Sequence, residues 1–290
     1  MKSLIKFFLN CFWKLHKNKL KKNLVLKNSC KDKSCVIFGN GGSIKYFDIK
    51  RYDGFFYMAT SYAMLHKDIE NLKPDFYVIP HSYDFYPFNY DVYDPPKGKW
   101  DFNYRRKIYE RIIKKGKETR FFINLSNYYG LFHRPKLLNF FYTFNKYESS
   151  NEDFEFDLDK NFNSSANSLE HMIGISKYLG FKKIILIGCD YLGVPRFDLH
   201  FYSNKDPNIG KPIYDEYVKR IKKLTKNIEV ITIFPNGITS NDFKSFTYDE
   251  FFEKKNNKNK EVYIRKNHEI ISNSDLNLLK KAAEHLQLYM

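Results

Sequence analysis

Cysteine is scarce in this chain. Its 290 residues hold four, Cys11, Cys30, Cys35 and Cys189, and no two form a C-x-x-C pair. That spacing excludes a zinc ribbon and a disulfide-stapled scaffold, and it points to a reduced, cytosolic setting. No apolar run reaches the roughly 18 residues that a bilayer span requires. No signal peptide with a small-residue cleavage site is visible either. Two familiar phosphate loops are missing as well. The glycine turn at Gly39-Asn-Gly-Gly42 is followed by Ile44 rather than a third glycine, and no acid stands near position 59, so the dinucleotide fingerprint fails. The Gly-Lys-Ser/Thr ending of a P-loop is also lacking.

Acidic residues are thin where basic ones crowd. The formal charge is +16, and the first 33 residues carry ten lysines against the single acid Asp32. Leu4, Phe8, Phe12 and Leu15 recur there at helical spacing, with Ile5, Leu9 and Trp13 beside them. A basic amphipathic helix with aromatic anchors fits an anionic membrane interface, reached through residues 1–22. A helix packed on the body or used in self-association remains the alternative. The basic balance permits nucleic acid, but no nucleic-acid motif accompanies it, so none is expected as a partner.

With 43% hydrophobic residues the chain can bury one substantial core. Short β-rich runs at Phe55–Thr60, Asp75–Pro80, Phe121–Ser126, Lys183–Gly188 and Glu229–Phe234 alternate with helical patterns at Tyr62–Leu72, Tyr104–Lys115, Ser168–Leu179 and Ile213–Lys226. That alternation predicts an α/β fold, a single Rossmann-like domain with a largely parallel sheet. Residues 1–33 read as the basic segment, 34–250 as the catalytic domain, and 251–290 as a Lys/Asn linker at 254–260 with a final helix at Asp275–Tyr289. The Pro- and Tyr-rich stretch 84–101 reads as a loop or flap.

Two strand ends carry the chemistry. Ser34-Cys-Val-Ile-Phe38 runs into the glycine turn, and Lys183–Ile187 runs into Gly188-Cys-Asp-Tyr191, followed by His200-Phe-Tyr202. Ligands bind at the carboxyl ends of strands in open α/β sheets, so the two ends predict one nucleotide-type pocket with a histidine at its rim. In the turn, glycines at 39, 41 and 42 suggest positive φ and a close approach to ligand, Asn40 a left-handed conformation, and the successive N–H groups an anion nest. Ser43 can cap a following helix. Weaker candidates are Asp157 and Asp159, a D-x-D in an acidic loop best read as a solvated turn; Arg105 and Arg106, a possible phosphate clamp on a Lys-rich face; His81 at a strand end; and His171, read as packing.

In order along the chain, Gly39-Asn-Gly-Gly-Ser43, Leu125-Ser-Asn-Tyr128, Asn167-Ser168, Gly188-Cys-Asp-Tyr191 and Phe234-Pro-Asn-Gly237 resemble the motifs of glycosyltransferase family 42. These are the bacterial sialyltransferases that use CMP-sialic acid, with related envelope and flagellin glycosyltransferase domains. The resemblance implies a variant GT-A type fold with a short lid at Tyr191–Leu199, and a metal-independent, inverting transfer to a sugar hydroxyl of a surface glycan. No cofactor is implied, since the CMP-sugar is a substrate. His200 takes the place of the general base. Asn40, Gly41, Gly42, Ser43, Thr60, Ser126, Asn127, Asn167, Ser168, Gly188, Asp190, Tyr191 and Tyr202 inherit donor-binding roles. Thr60 and Pro80-His-Ser82 stand where the family has asparagines. The implied location is the cytoplasmic face of the inner membrane, with homo-oligomerisation left open. Two other classes stay open: a metal-dependent phosphotransferase of the pyrophosphokinase type, and a non-catalytic membrane-associated scaffold.

Overall fold

A computed structural model describes residues 11, 14–16, 18–81, 85, 102–131, 140–143, 156–160, 168–197, 199–203, 209–210, 215–253 and 264–284, without the side chains of 102–105, 197, 209–210, 215–216 and 283–284. The expected flap at 84–101, apart from Phe85, the linker at 254–260, Asn167 and most of residues 1–13 lie outside the described residues.

The sheet has eight strands: β1 (Ser34–Phe38), β2 (Phe55–Thr60), β3 (Phe76–Ile79), β4 (Arg120–Asn124), β5 (Phe140–Thr143), β6 (Lys183–Ile187), β9 (Glu229–Ile233) and β10 (Lys244–Phe246). A separate antiparallel ribbon joins β7 (Arg196–Phe197) to β8 (Ile209–Gly210). The sheet order is β10-β9-β6-β1-β2-β3-β4-β5, with every pairing parallel. This is the Rossmann-like α/β fold that the alternation predicts.

The strands are apolar on both faces because both faces are covered. Val36, Phe38, Ile185 and Ile187 point into one core, while Cys35, Ile37, Ile184 and Leu186 point into the other. The first core is closed by α1 (Lys67–Leu72), α2 (Phe102–Lys115), α5 (Asn267–Ile270) and α6 (Asn273–Glu284); the second by α3 (Ser168–Leu179) and α4 (Asp215–Leu224).

Three elements differ from expectation. Strands β5 and β10 are short edge strands whose sequences carry too little alternation to mark them. The run Tyr62–Leu72 is two pieces, a 3-10 turn at Ala63–Leu65 and α1, parted at His66. His66 has extended backbone and its ring accepts the Asp68 N–H at 3.3 Å, acting as an N-cap. Burial drives its pKa down to about 3, keeping the ring neutral and able to accept.

Two segments toward the chain ends, 20–30 and 267–282, are built into the body. Leu20, Asn23, Leu26 and Cys30 are buried. The Asn23 amide donates to the Tyr142 and Leu158 carbonyls at 2.8 and 2.6 Å. At the other end, α6 contributes Leu279 and Ala282 to the core, and its buried Asp275 accepts from Lys115 at 2.9 Å and pairs with Arg111. Among the described residues no helix is long and apolar enough to cross a membrane.

Candidate functional site

Strands added after β1 run outward through β2 to β5 on one side, and through β6, β9 and β10 on the other. The chain therefore reverses its winding between β1 and β6, where Phe38 and Ile187 are registered partners. A crevice opens outside the carboxyl ends of strands at such a reversal. Here it is a cavity of about 640 Å³, within the range that holds a small ligand.

The glycine turn after β1 is shaped by its neighbour rather than by a ligand. None of Gly39, Asn40, Gly41 and Gly42 has positive φ; in this region Gly188 does, at 69°. A Cβ on Gly39 would lie 2.2 Å from the Gly188 carbonyl oxygen, and one on Gly41 would lie 2.3 Å from an Asp190 carboxylate oxygen. Close packing of the two strand ends thus explains these glycines. The expected anion nest does not form, because the N–H groups are already committed. Gly39 donates to the Ile187 carbonyl at 2.8 Å, Gly41 to Gly188 at 2.8 Å, and Gly42 to Leu199 at 2.7 Å.

Ser43 completes this set. Its N–H donates to Asp190 Oδ2 at 2.8 Å and its hydroxyl to Oδ1. The hydroxyl therefore ties β1 to β6 instead of capping the short 3-10 turn Gly42–Tyr46. Burial raises the Asp190 pKa to about 6, with both Ser43 bonds opposing the rise. Ser43 and Gly42 are buried behind the cavity wall, whereas Asn40 and Gly41 line it. Asn40 Oδ1 is buried without a hydrogen-bond partner among the described residues, an acceptor left for a ligand.

His200 is aimed by this same turn. Its backbone bridges Gly41, the Phe201 N–H donates to the Asn40 carbonyl at 2.9 Å, and that carbonyl also accepts from the His200 ring. With one ring nitrogen donating, the other is left as an acceptor on a neutral imidazole. The ring stacks on Tyr202 with centroids 5.0 Å apart. It is open to the cleft, yet the surrounding protein desolvates it, and this lowers its pKa against the opposing effect of the Asn40 bond.

Of the other predicted site residues, Thr60, Ser168, Gly188, Asp190, Tyr191 and Tyr202 line the cavity, and so does His81. The Thr60 hydroxyl, however, donates to the Val78 carbonyl at 2.9 Å. Tyr191 accepts from the Tyr217 hydroxyl at 3.2 Å. Ser126 and Asn127 do not line it. The Asn127 side chain is a brace: it donates to the His81 carbonyl at 2.9 Å and accepts the Phe85 N–H at 3.2 Å. Asp157 pairs with Lys27 and Lys160, and Asp159 accepts from Tyr178, so the D-x-D ties surface elements together away from the cavity. Arg106 faces Glu110 at 3.9 Å, and the buried Glu170 on α3 holds Arg220 bidentately.

Sequence reading missed Arg196, Ser61, Tyr62 and Tyr109 on the cavity wall. Arg196 stands inside the lid interval 191–199, and an arginine so close after a ligand-type strand end was the available signal. Among the described lining residues Arg196 brings a guanidinium and Asp190 a carboxyl that titrates near pH 6. The fold and site together define a doubly wound α/β protein with a pocket at its switch point. Comparisons of the chain with protein families, curated proteins and solved structures find no match.

Proposed function

We propose that the chain is a metal-independent glycosyltransferase that moves a sialic-acid-like sugar from a CMP-activated donor to a sugar hydroxyl of a bacterial surface glycan. The observation that carries the reading is the His200 ring, held by the Asn40 carbonyl at the edge of a cavity of about 640 Å³. A neutral imidazole with one nitrogen fixed and the other open is suited to take a proton from an acceptor hydroxyl.

In this reading the donor lies along the carboxyl ends of β1 and β6, against Asn40, Gly41 and Gly188. Ser168 begins a 12-residue helix there, and its positive dipole end favours the donor's phosphate. The acceptor oxygen loses its proton to His200 and attacks the anomeric carbon. The bond from that carbon to the phosphate oxygen breaks, and CMP leaves with the electron pair. Configuration inverts because attack and departure are on opposite faces. The phosphotransferase reading gains no residue from the D-x-D, whose carboxylates face lysines and Tyr178. Residues 1–22 anchor the protein to the anionic cytoplasmic face of the inner membrane.

Calorimetry with CMP, UDP, GDP and ADP, each with and without Mg²⁺, tests the reading. The expected result is a preference for CMP that Mg²⁺ does not change. Mg²⁺-dependent binding of ADP or GDP would favour the phosphotransferase, and no nucleotide binding at all would favour the scaffold.

A further inference from the structure

We propose that Ser61, together with Asn40, forms a hydroxyl-reading subsite in the cavity that takes the vicinal diol of a ribose. This rests on the nucleotide-donor reading and deepens it, because it names the part of the donor that the two residues select.

Three observations converge. First, Ser61 follows β2 in a left-handed conformation, with φ at 52°, although it is not a glycine. A serine seldom adopts that conformation, and residues so strained persist where their surroundings hold them, often at ligand sites. Here the buried Tyr77 hydroxyl donates to the Ser61 carbonyl at 2.7 Å and pins it. Second, Ser61 lines the cavity, and its hydroxyl makes no hydrogen bond among the described residues. The neighbouring Thr60, expected from the sequence to bind the donor, is already spent on the Val78 carbonyl at 2.9 Å. Third, Asn40 Oδ1 is a buried acceptor without a partner among the described residues. Phe38 and Ala59 are registered partners on β1 and β2, and Asn40 and Ser61 each follow two residues later, so both leave neighbouring strands at the same level.

The chemistry of the pair points to a diol. A buried amide oxygen requires a donor, and a serine hydroxyl both donates and accepts. Adjacent ribose hydroxyls offer a donor and an acceptor on each of two bonded carbons. The position agrees, because in doubly wound folds the ribose is held about 20 residues beyond the glycine turn, where the second strand ends. Ser61 stands at that place and brings a neutral hydroxyl instead of a carboxylate.

The test is calorimetric titration of the wild type, Ser61→Gly, Ser61→Ala and Asn40→Ala with CMP, 2′-deoxy-CMP and 3′-deoxy-CMP. The ribo and 2′-deoxy forms of UMP, GMP and AMP are titrated alongside. The wild type is expected to bind CMP roughly 10–100-fold more tightly than at least one deoxy analogue, since losing that hydroxyl strands a buried partner. Ser61→Gly should keep or raise Tm, because glycine adopts the left-handed conformation freely, and yet lose most of the preference. Ser61→Ala, which keeps the Cβ, should lose it to the same extent, and Asn40→Ala should reduce it. A wild type indifferent to the deoxy analogues, or a Ser61→Gly protein with the preference intact, overturns the subsite, while CMP binding in either case leaves the donor reading standing. A Ser61-dependent ribose preference shown with another base, by a protein indifferent to CMP, supports the subsite and removes the CMP reading. Equal weakening of ribo and deoxy nucleotides in Ser61→Gly shows a structural role only and overturns the proposal, as does a wild type that binds no nucleotide.

Discussion

Ser43 grips Asp190 twice, with its N–H at 2.8 Å from Oδ2 and its hydroxyl on Oδ1, and so welds the ends of β1 and β6 at the point where the sheet reverses. The same turn presents the Asn40 carbonyl that holds His200. Asp190 therefore acts on His200 through the turn, as a positioning residue. Asp190→Ala leaves a buried N–H without an acceptor, which costs about 1–3 kcal/mol. It should lower Tm and kcat together, whereas Asp190→Asn keeps an acceptor for the N–H and should retain most of both. Equal damage from the two variants would contradict the positioning role.

Asp190 also gives stability a pH signature. Its folded pKa of about 6 lies above its ordinary 3.8, so the folded state keeps a proton that the unfolded chain has released. Its contribution to stability is full below pH 3.8 and is lost as pH rises to about 6. Asp190→Asn has no such titration. Its Tm relative to wild type should rise between pH 4 and pH 7, and a constant difference would show that the carboxyl is not perturbed.

The two glycine contacts differ in what can yield. A Cβ at 39 meets backbone at 2.2 Å, whereas one at 41 meets a side-chain carboxylate at 2.3 Å. Gly39→Ala must push two strand ends apart and should prevent soluble folding or cost more than the usual 1–3 kcal/mol of an overpacked core. Gly41→Ala should fold at lower Tm with Asp190 displaced. Chemical denaturation of both variants gives the order, and a milder Gly39→Ala would contradict it.

The glycine turn shows how far sequence alone reaches. That Gly39–Ser43 and Asp190 end neighbouring strands at one cleft is legible from two apolar runs ending in small and polar residues. What those glycines do is not, because their reason is the opposing Gly188 carbonyl and Asp190 carboxylate, about 150 residues away in sequence. The parallel sheet likewise follows from the alternation of β-rich and helical runs. Edge strands β5 and β10 do not, since three or four residues on a sheet edge carry little periodicity. Asn127 was expected to touch the ligand only through the resemblance of Leu125-Ser-Asn-Tyr128 to a family motif, yet its amide braces the His81 carbonyl and the Phe85 N–H. Arg196 carried a signal in its place just after a ligand-type strand end, but only the fold shows that this stretch returns to the cavity wall.

The basic N-terminal segment divides near Leu20. That residue is fully buried, whereas Leu15, Leu24 and Val25 are 76%, 50% and 73% exposed beside exposed lysines. Removing residues 1–13 keeps the His16–Tyr129 hydrogen bond, Leu20 and the Asn23 bonds. It should release the protein from vesicles containing anionic lipid while leaving Tm and nucleotide binding in place. Undiminished co-sedimentation of the truncated protein would assign the segment another role.

The central claim is a proton taken by His200 during transfer from a CMP-activated sugar. It is tested most directly by following CMP release from CMP-sialic acid in the presence of glycan acceptors, across pH, for wild type, His200→Ala and His200→Asn, with and without EDTA. The account predicts EDTA-resistant turnover whose acid limb lies below the ordinary histidine value of 6.5, since desolvation lowers the His200 pKa. It also predicts a loss of roughly 10²–10⁴-fold in kcat in both variants, the usual worth of a general base, with donor affinity little changed. Near-normal turnover in His200→Asn, or turnover abolished by EDTA, would contradict it.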